Sequence, residues 1–123
     1  MDRKELIKKL DKEFSKYIRV VHSKDENCEC FTCGTVDHWK NVDCGHYMSR
    51  KHMFTRWDPE NAKPQCKKCN QFYGGVPKKF KERLGETAER MEEESKKVCK
   101  WELAELEAML DLYKKINKKL QNG

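Results

Sequence analysis

The chain has 123 residues, 37% of them hydrophobic and 39% charged, with a formal net charge of +6. That length allows one domain with a helical appendage, and that composition buries only a small core, so a metal, a disulfide or a partner subunit is expected as a staple. No run approaches the roughly 20 apolar residues of a membrane span, and MDRKELIKKL lacks the apolar stretch of a secretory leader. A cytoplasmic protein with reduced thiols is expected, and its seven cysteines should then serve a metal rather than disulfides.

Residues 3–21 read as an amphipathic helix, because Leu6, Leu10, Phe14, Tyr17 and Val21 recur at three- and four-residue spacing among Lys and Glu. Periodicity then lapses. SKDEN reads as a loop, CECFTCG packs three cysteines into a short segment, and residues 35–50 suit one or two short strands with a turn at Asn41 and a bulge at Gly45. Asp58-Pro59 is a helix-start signal, so a helix is expected to begin between Asp58 and Pro64 and to carry Cys66, Cys69 and Asn70 until Gly74-Gly75 ends it. A short helix follows at about 78–84, closed by Gly85. Residues 86–98 and 100–120 read as one long helix or two. There Leu103, Leu106, Leu110, Tyr113 and Leu120 have heptad-like spacing that Asn117 interrupts. This divides the chain into 1–85, an N-terminal helix plus a core, and 86–123, a helical extension. The extension is expected either to fold back on helix 3–21 or to form a homodimer seam, with a slight preference for the dimer.

The charge is unevenly distributed. Residues 1–39 carry 8 basic and 8 acidic side chains, residues 40–83 carry 11 and 4, and residues 84–123 carry 8 and 9. The excess positive charge therefore lies in the middle third, the footprint of a polyanion partner. Arg50, Lys51, Arg56, Lys63, Lys67, Lys68, Lys78 and Lys79 are the candidate contacts to such a partner's phosphates. Tyr47 and Trp57 are candidates for base stacking, although core packing is the commoner fate of such aromatics.

Cys30-x2-Cys33 and Cys66-x2-Cys69 form the strongest motif. Each pair presents two thiolates from one tight turn, and together they complete a closed tetrahedral, hence structural, zinc site. Cys28-x-Cys30 offers another pairing, but the matched x2 spacing favours Cys30 with Cys33. Cys44 and Cys99 are expected to be unpaired thiols.

Between and around these pairs lie FSKYIRV, CFTCG, CGHYMSR and TRWDPENAKPQCKKCN, followed by a Gly-Gly pair. In order and spacing, roughly residues 14–85 resemble the phage NinG (Rap) recombination-protein family. More broadly they resemble zinc-stapled HNH nucleases of the endonuclease VII type. The resemblance implies an α+β, mainly helical fold with a zinc-stapled ββα-metal (HNH, or His-Me finger) core flanked by an N-terminal helix and a long C-terminal helical region. It implies a metal-dependent DNA endonuclease acting on branched recombination intermediates such as Holliday junctions or D-loops. His46 matches the general base, and Asn61 matches the central Asn that orients this histidine or holds its loop. Asn70 matches the last ligand of a catalytic Mg²⁺ or Mn²⁺. The endonuclease VII pattern has an acidic ligand immediately before the histidine, where this chain has Gly45. Asp43 is the nearest carboxylate and becomes the candidate second ligand, provided that a bulge at Gly45 brings it to the side of His46. Gly45 and the many lysines also fit an alternative, a non-catalytic zinc-containing DNA-binding or recombination-accessory protein. An adaptor built on the C-terminal helix would leave the middle segment unexplained.

Overall fold

The computed structural model describes residues 1–122. Helix α1 spans Arg3–Val21, with the Asp2 side chain capping the Glu5 amide. Its apolar stripe buries Leu6, Leu10, Phe14 and Ile18. Tyr17 is half-buried and Val21 is exposed.

Strands β1 (Ser23–Lys24), β2 (Asn27–Glu29) and β3 (Val36–His38) form a small antiparallel sheet. SKDEN is thus a tight hairpin rather than an open loop: Ser23 pairs Cys28, Lys24 pairs Asn27, and Asp25 and Glu26 both have positive φ. Two successive left-handed residues match the twist of a two-residue hairpin turn. Strands β4 (Val42–His46) and β5 (Ala62–Cys66) form a second antiparallel pair. A single wide helical turn, Lys68–Phe72, follows β5. Helices α2 (Pro77–Leu84), α3 (Glu86–Ser95) and α4 (Leu103–Asn122) complete the chain.

The long helix expected from Asp58 is not formed. Asp58 does cap, but only the three-residue turn Pro59–Asn61. Pro64 then lies within β5, opposite Cys44. A two-stranded ribbon leaves each strand one free edge, where a missing N–H costs no ladder bond. Only Cys69 and Asn70 lie on a helical turn, while Cys66 ends the strand.

One core cluster joins Leu6, Leu10, Phe14 and Ile18 of α1 to Leu106, Leu110 and Tyr113 of α4, with Trp57 and Ala62 between. Of the stripe that could have formed a dimer seam, Leu106, Leu110 and Tyr113 are therefore covered by α1 of the same chain. Among the apolar residues of α4, Leu103, Leu112 and Leu120 are exposed. Asn117 belongs to the buried stripe: its Nδ2 donates to the Glu13 carbonyl at 2.9 Å and to Glu13 Oε1 at 3.2 Å. Arg3 Nη1 donates to the Trp101 carbonyl just before α4. Contacts 3–101 and 13–117 together set the two helices parallel. No helix among the described residues is long and apolar enough to cross a membrane.

Candidate functional site

The four-cysteine cluster comes from two places. Cys30 and Cys33 lie in the β2–β3 loop, Cys66 ends β5, and Cys69 sits in the turn that follows. Their four sulfurs lie within 4.8 Å of one another, with Cys33 and Cys66 3.7 Å apart. Tetrahedral zinc with Zn–S bonds of about 2.3 Å requires sulfurs about 3.8 Å apart, so the donor set fits. Burial opposes ionisation of Cys30, but hydrogen bonds from Thr32 and from the backbones of Cys66, Cys33 and Thr32 bring it down to about 6. Cys28 is outside the cluster; its thiol donates to the Arg19 carbonyl at 3.6 Å, and burial raises its pKa. Cys44 is pushed up to about 12 by burial and stays a thiol.

The knuckle is coupled to the β4–β5 ribbon through Gln65. Its Nε2 donates to Thr32 Oγ1 at 3.0 Å and to the Gly75 carbonyl at 2.9 Å. The side chain crosses the bare backbone of Gly45, where an added Cβ would lie 2.0 Å from Gln65 Oε1. Glycine at the expected acid position is thus explained: a carboxylate there would require Gln65, fully buried, to leave.

A cavity of about 570 Å³ opens beside the ribbon, lined by Asp43, His46, Asn70, Gln71, Arg50 and Lys67 together with Asp11, Ser15 and Arg19 of α1. No bulge was needed at Gly45, since the register runs unbroken from Val42↔Cys66 to His46↔Ala62. Val42, Asp43, Cys44 and His46 all border the cavity. It therefore lies along the free edge of β4, within reach of side chains from both faces.

His46 is half-buried at the end of β4, with its ring centroid 5.9 Å from that of Phe14. Its Nε2 lies 3.0 Å from the Arg56 carbonyl. A carbonyl only accepts, so Nε2 carries the hydrogen and Nδ1 of the neutral ring is left as an acceptor. Burial lowers its pKa below 6.5, only partly offset by the Arg56 carbonyl and Asp11, while Arg50 and Arg56 lower it further. Asn61 is fully buried. Its Nδ2 donates to the Met48 and Thr55 carbonyls, and its Oδ1 accepts from the Met48 amide. It thereby holds the segment that leaves His46 against the segment that enters β5.

Asp43 receives Lys67 Nζ at 3.0 Å on Oδ1, and Asn70 Nδ2 at 3.0 Å and Gln71 Nε2 at 2.6 Å on Oδ2. Desolvation opposes ionisation, but these donors outweigh it and keep the carboxyl below its ordinary range. A carboxylate and an amide oxygen on one wall suit a hard divalent ion.

The candidate DNA contacts divide. Arg50 and Lys67 border the cavity, and Lys51, Lys68, Lys78 and Lys79 are exposed. Lys63 faces elsewhere, over the Phe31 ring. Arg56 turns inward: Nε and Nη2 fork onto Asp11 at 3.1 and 2.6 Å, and Nη1 donates to the Arg50 carbonyl at 2.9 Å. Trp57 is buried, with Nε1 on Asp11 at 2.9 Å. Tyr47 donates to Glu92 at 2.6 Å and packs on Phe80. Trp57 presents no face for stacking, and Tyr47 is half-buried. Asp11, Ser15 and Arg19 were not singled out in the sequence. Their signal was present as a polar stripe at every fourth residue, one step along the helix from the buried Leu10, Phe14 and Ile18.

Fold and site define a small α+β protein in which a four-cysteine cluster able to hold a metal ion adjoins a cavity lined by a histidine, a carboxylate and an amide. The sequence profile of the family described as bacteriophage Lambda NinG protein matches residues 1–123. The chain belongs to the NinG family. No curated protein and no solved structure matches.

Proposed function

We propose that this chain is a metal-dependent DNA endonuclease of the HNH type, cutting branched intermediates during phage recombination. Family membership supports the role in phage recombination. The observation that carries the catalytic reading is the tethering of His46 through Nε2, which leaves Nδ1 as an acceptor on a residue lining the same cavity as Asp43 and Asn70. The order β4, β5, helical turn also agrees with a ββα-metal core.

In this reading Nδ1 of His46 takes a proton from water as its oxygen attacks phosphorus, and the scissile P–O bond breaks on the opposite side. The lowered pKa keeps the ring neutral and ready to accept at neutral pH. Asp43 and Asn70 would hold Mg²⁺ or Mn²⁺, which when bound supplies charge neutralisation on the phosphate and the leaving oxygen. Arg50 and Lys67, at the cavity rim, bind the flanking phosphates. Structural zinc at Cys30, Cys33, Cys66 and Cys69 fixes the turn bearing Asn70 relative to β4.

A second reading rests on Asp43, whose oxygens already accept from Lys67, Asn70 and Gln71. A carboxylate satisfied in this way suits a zinc-containing DNA-binding accessory protein. The deciding experiment presents linear duplex, single-stranded, forked and four-way-junction DNA to wild type and His46→Ala, with Mg²⁺ or Mn²⁺ and a metal-free control. Metal-dependent cutting that is lost in His46→Ala, with zinc content unchanged, supports the nuclease. Binding without cutting across all substrates supports the accessory protein.

A further inference from the structure

Two aromatic rings stand out in solvent beside the cavity. Phe72 is 81% and Tyr73 54% exposed. They follow Asn70 and Gln71 directly, so they extend from the same turn that forms the cavity wall. An exposed pair of large aromatics wastes hydrophobic area unless something covers it.

Their setting identifies the occupant. Lys67, Lys68 and Gln71 line a shallow groove with Phe72, and Lys67 and Gln71 line the main cavity as well, so the two surfaces are continuous. Lys68 Nζ lies 5.7 Å from the Tyr73 ring centroid. The two rings meet edge to face, with centroids 5.4 Å apart and planes at 89°, and both stay largely open to solvent. Cations beside open aromatic faces match a phosphate backbone with a base turned outward.

The platform is also held firmly. The Gly75 amide donates to the Cys69 carbonyl at 2.8 Å, and the Tyr73 amide donates to the Lys68 carbonyl at 2.9 Å. Gly74, Gly75 and Val76 all have positive φ, and Val76 is β-branched, a type that rarely adopts that conformation. The turn is thus anchored at a zinc ligand on one side and at a sharp, strained reversal on the other. A platform fixed beforehand spends little entropy when it binds.

We propose that Phe72 and Tyr73 form a stacking platform for an unpaired base of the DNA strand entering the cavity, so that this chain prefers DNA with single-stranded character. The proposal rests on the DNA-binding part of the function above and not on cleavage. Duplex DNA keeps its bases stacked inside and offers the platform little.

The test is equilibrium binding of wild type and the double variant Phe72→Ala/Tyr73→Ala, without added Mg²⁺ or Mn²⁺, to oligothymidylate, a fork with single-stranded arms, and blunt duplex. Leu112→Ala, an exposed apolar residue on α4, serves as the control. The double variant should bind oligothymidylate and the fork about ten-fold more weakly and duplex within about two-fold of wild type, with an unchanged salt slope because no phosphate contact is removed. Leu112→Ala should change nothing. Equal weakening on all three DNAs, or none on any, overturns the platform. Wild type that binds every DNA here yet cuts none in the metal-containing assay above leaves the platform standing and removes only the nuclease. Wild type that binds no DNA removes both.

Discussion

The pairing of Gly45 with Gln65 can be tested by a thermodynamic cycle. Gly45→Ala places a methyl 2.0 Å from Gln65 Oε1, 2.7 Å from Cδ and 2.9 Å from Cγ. No atom pair tolerates these distances, so Gln65 must move. The overpacking itself costs about 1–3 kcal/mol. Moving Gln65 also gives up its bonds to Thr32 and Gly75, at about 0.5–1.5 kcal/mol each. Gln65→Ala alone loses the same two bonds and leaves a void. Once both changes are present, the methyl no longer collides and the bonds are lost only once. The double variant should therefore be more stable than the sum of the single losses by about 2–6 kcal/mol, the overpacking plus the two bonds counted twice. Urea unfolding at fixed zinc concentration measures the four stabilities. Additivity within roughly 0.5 kcal/mol would refute the argument and, with it, the explanation of why no carboxylate stands at position 45.

The pKa of His46 is lowered, so its neutral, proton-accepting form persists below pH 6.5. The acid limb of the cleavage rate should have its midpoint below 6.5, and a midpoint above it would contradict the buried placement. The same shift makes the folded state bind fewer protons than the unfolded one, so this residue withdraws stability as pH falls below 6.5. Metal analysis should find one zinc per chain in wild type and Cys28→Ser and none in Cys66→Ser; the opposite pattern would break the four-cysteine assignment. Asp11→Asn loses the carboxylate that anchors Arg56 and Trp57, and through the Arg56 carbonyl it loosens His46. Cutting should slow by up to about a hundred-fold with zinc retained, and imidazole nitrogen shifts should show Nε2 no longer held as the sole protonated position. Unchanged shifts would confine Asp11 to stability.

Where spacing alone set the structure, it was legible. The α1 stripe and the two x2 cysteine pairs depend on residues close in sequence; Leu6, Leu10 and Phe14 are buried and the four cysteines clustered as expected, whereas Val21, at the helix end, is exposed. What failed depended on distant partners. The inward fork of Arg56 was not legible because Asp11, which draws it in, lies in another element; Trp57 is buried beside it, the commoner fate of such an aromatic. Asn117 read as a break in an apolar stripe because its partner, the Glu13 carbonyl, belongs to α1. The proline signals at 59 and 64 were read as one helix because nothing local distinguishes an early helical proline from one on an open strand edge. The exposed Phe72 and Tyr73 were passed over for Tyr47 and Trp57, since exposure is a property of the assembled chain.

The parallel packing of α1 on α4 bears on the order of assembly. The cysteine knuckle and the β4–β5 ribbon can close as soon as residues 30–69 exist. The cavity wall bearing Asp11, Ser15 and Arg19 must wait, because the apolar face of α1 is covered by Leu106, Leu110 and Tyr113. During synthesis those residues emerge roughly 5–20 seconds after α1. A nascent chain would thus hold its histidine and its four clustered cysteines well before it holds a finished pocket. Closing so distant a helix pair is also the slow, high-contact-order step of folding. The last helix, which lines none of the cavity, would set when the cavity is completed.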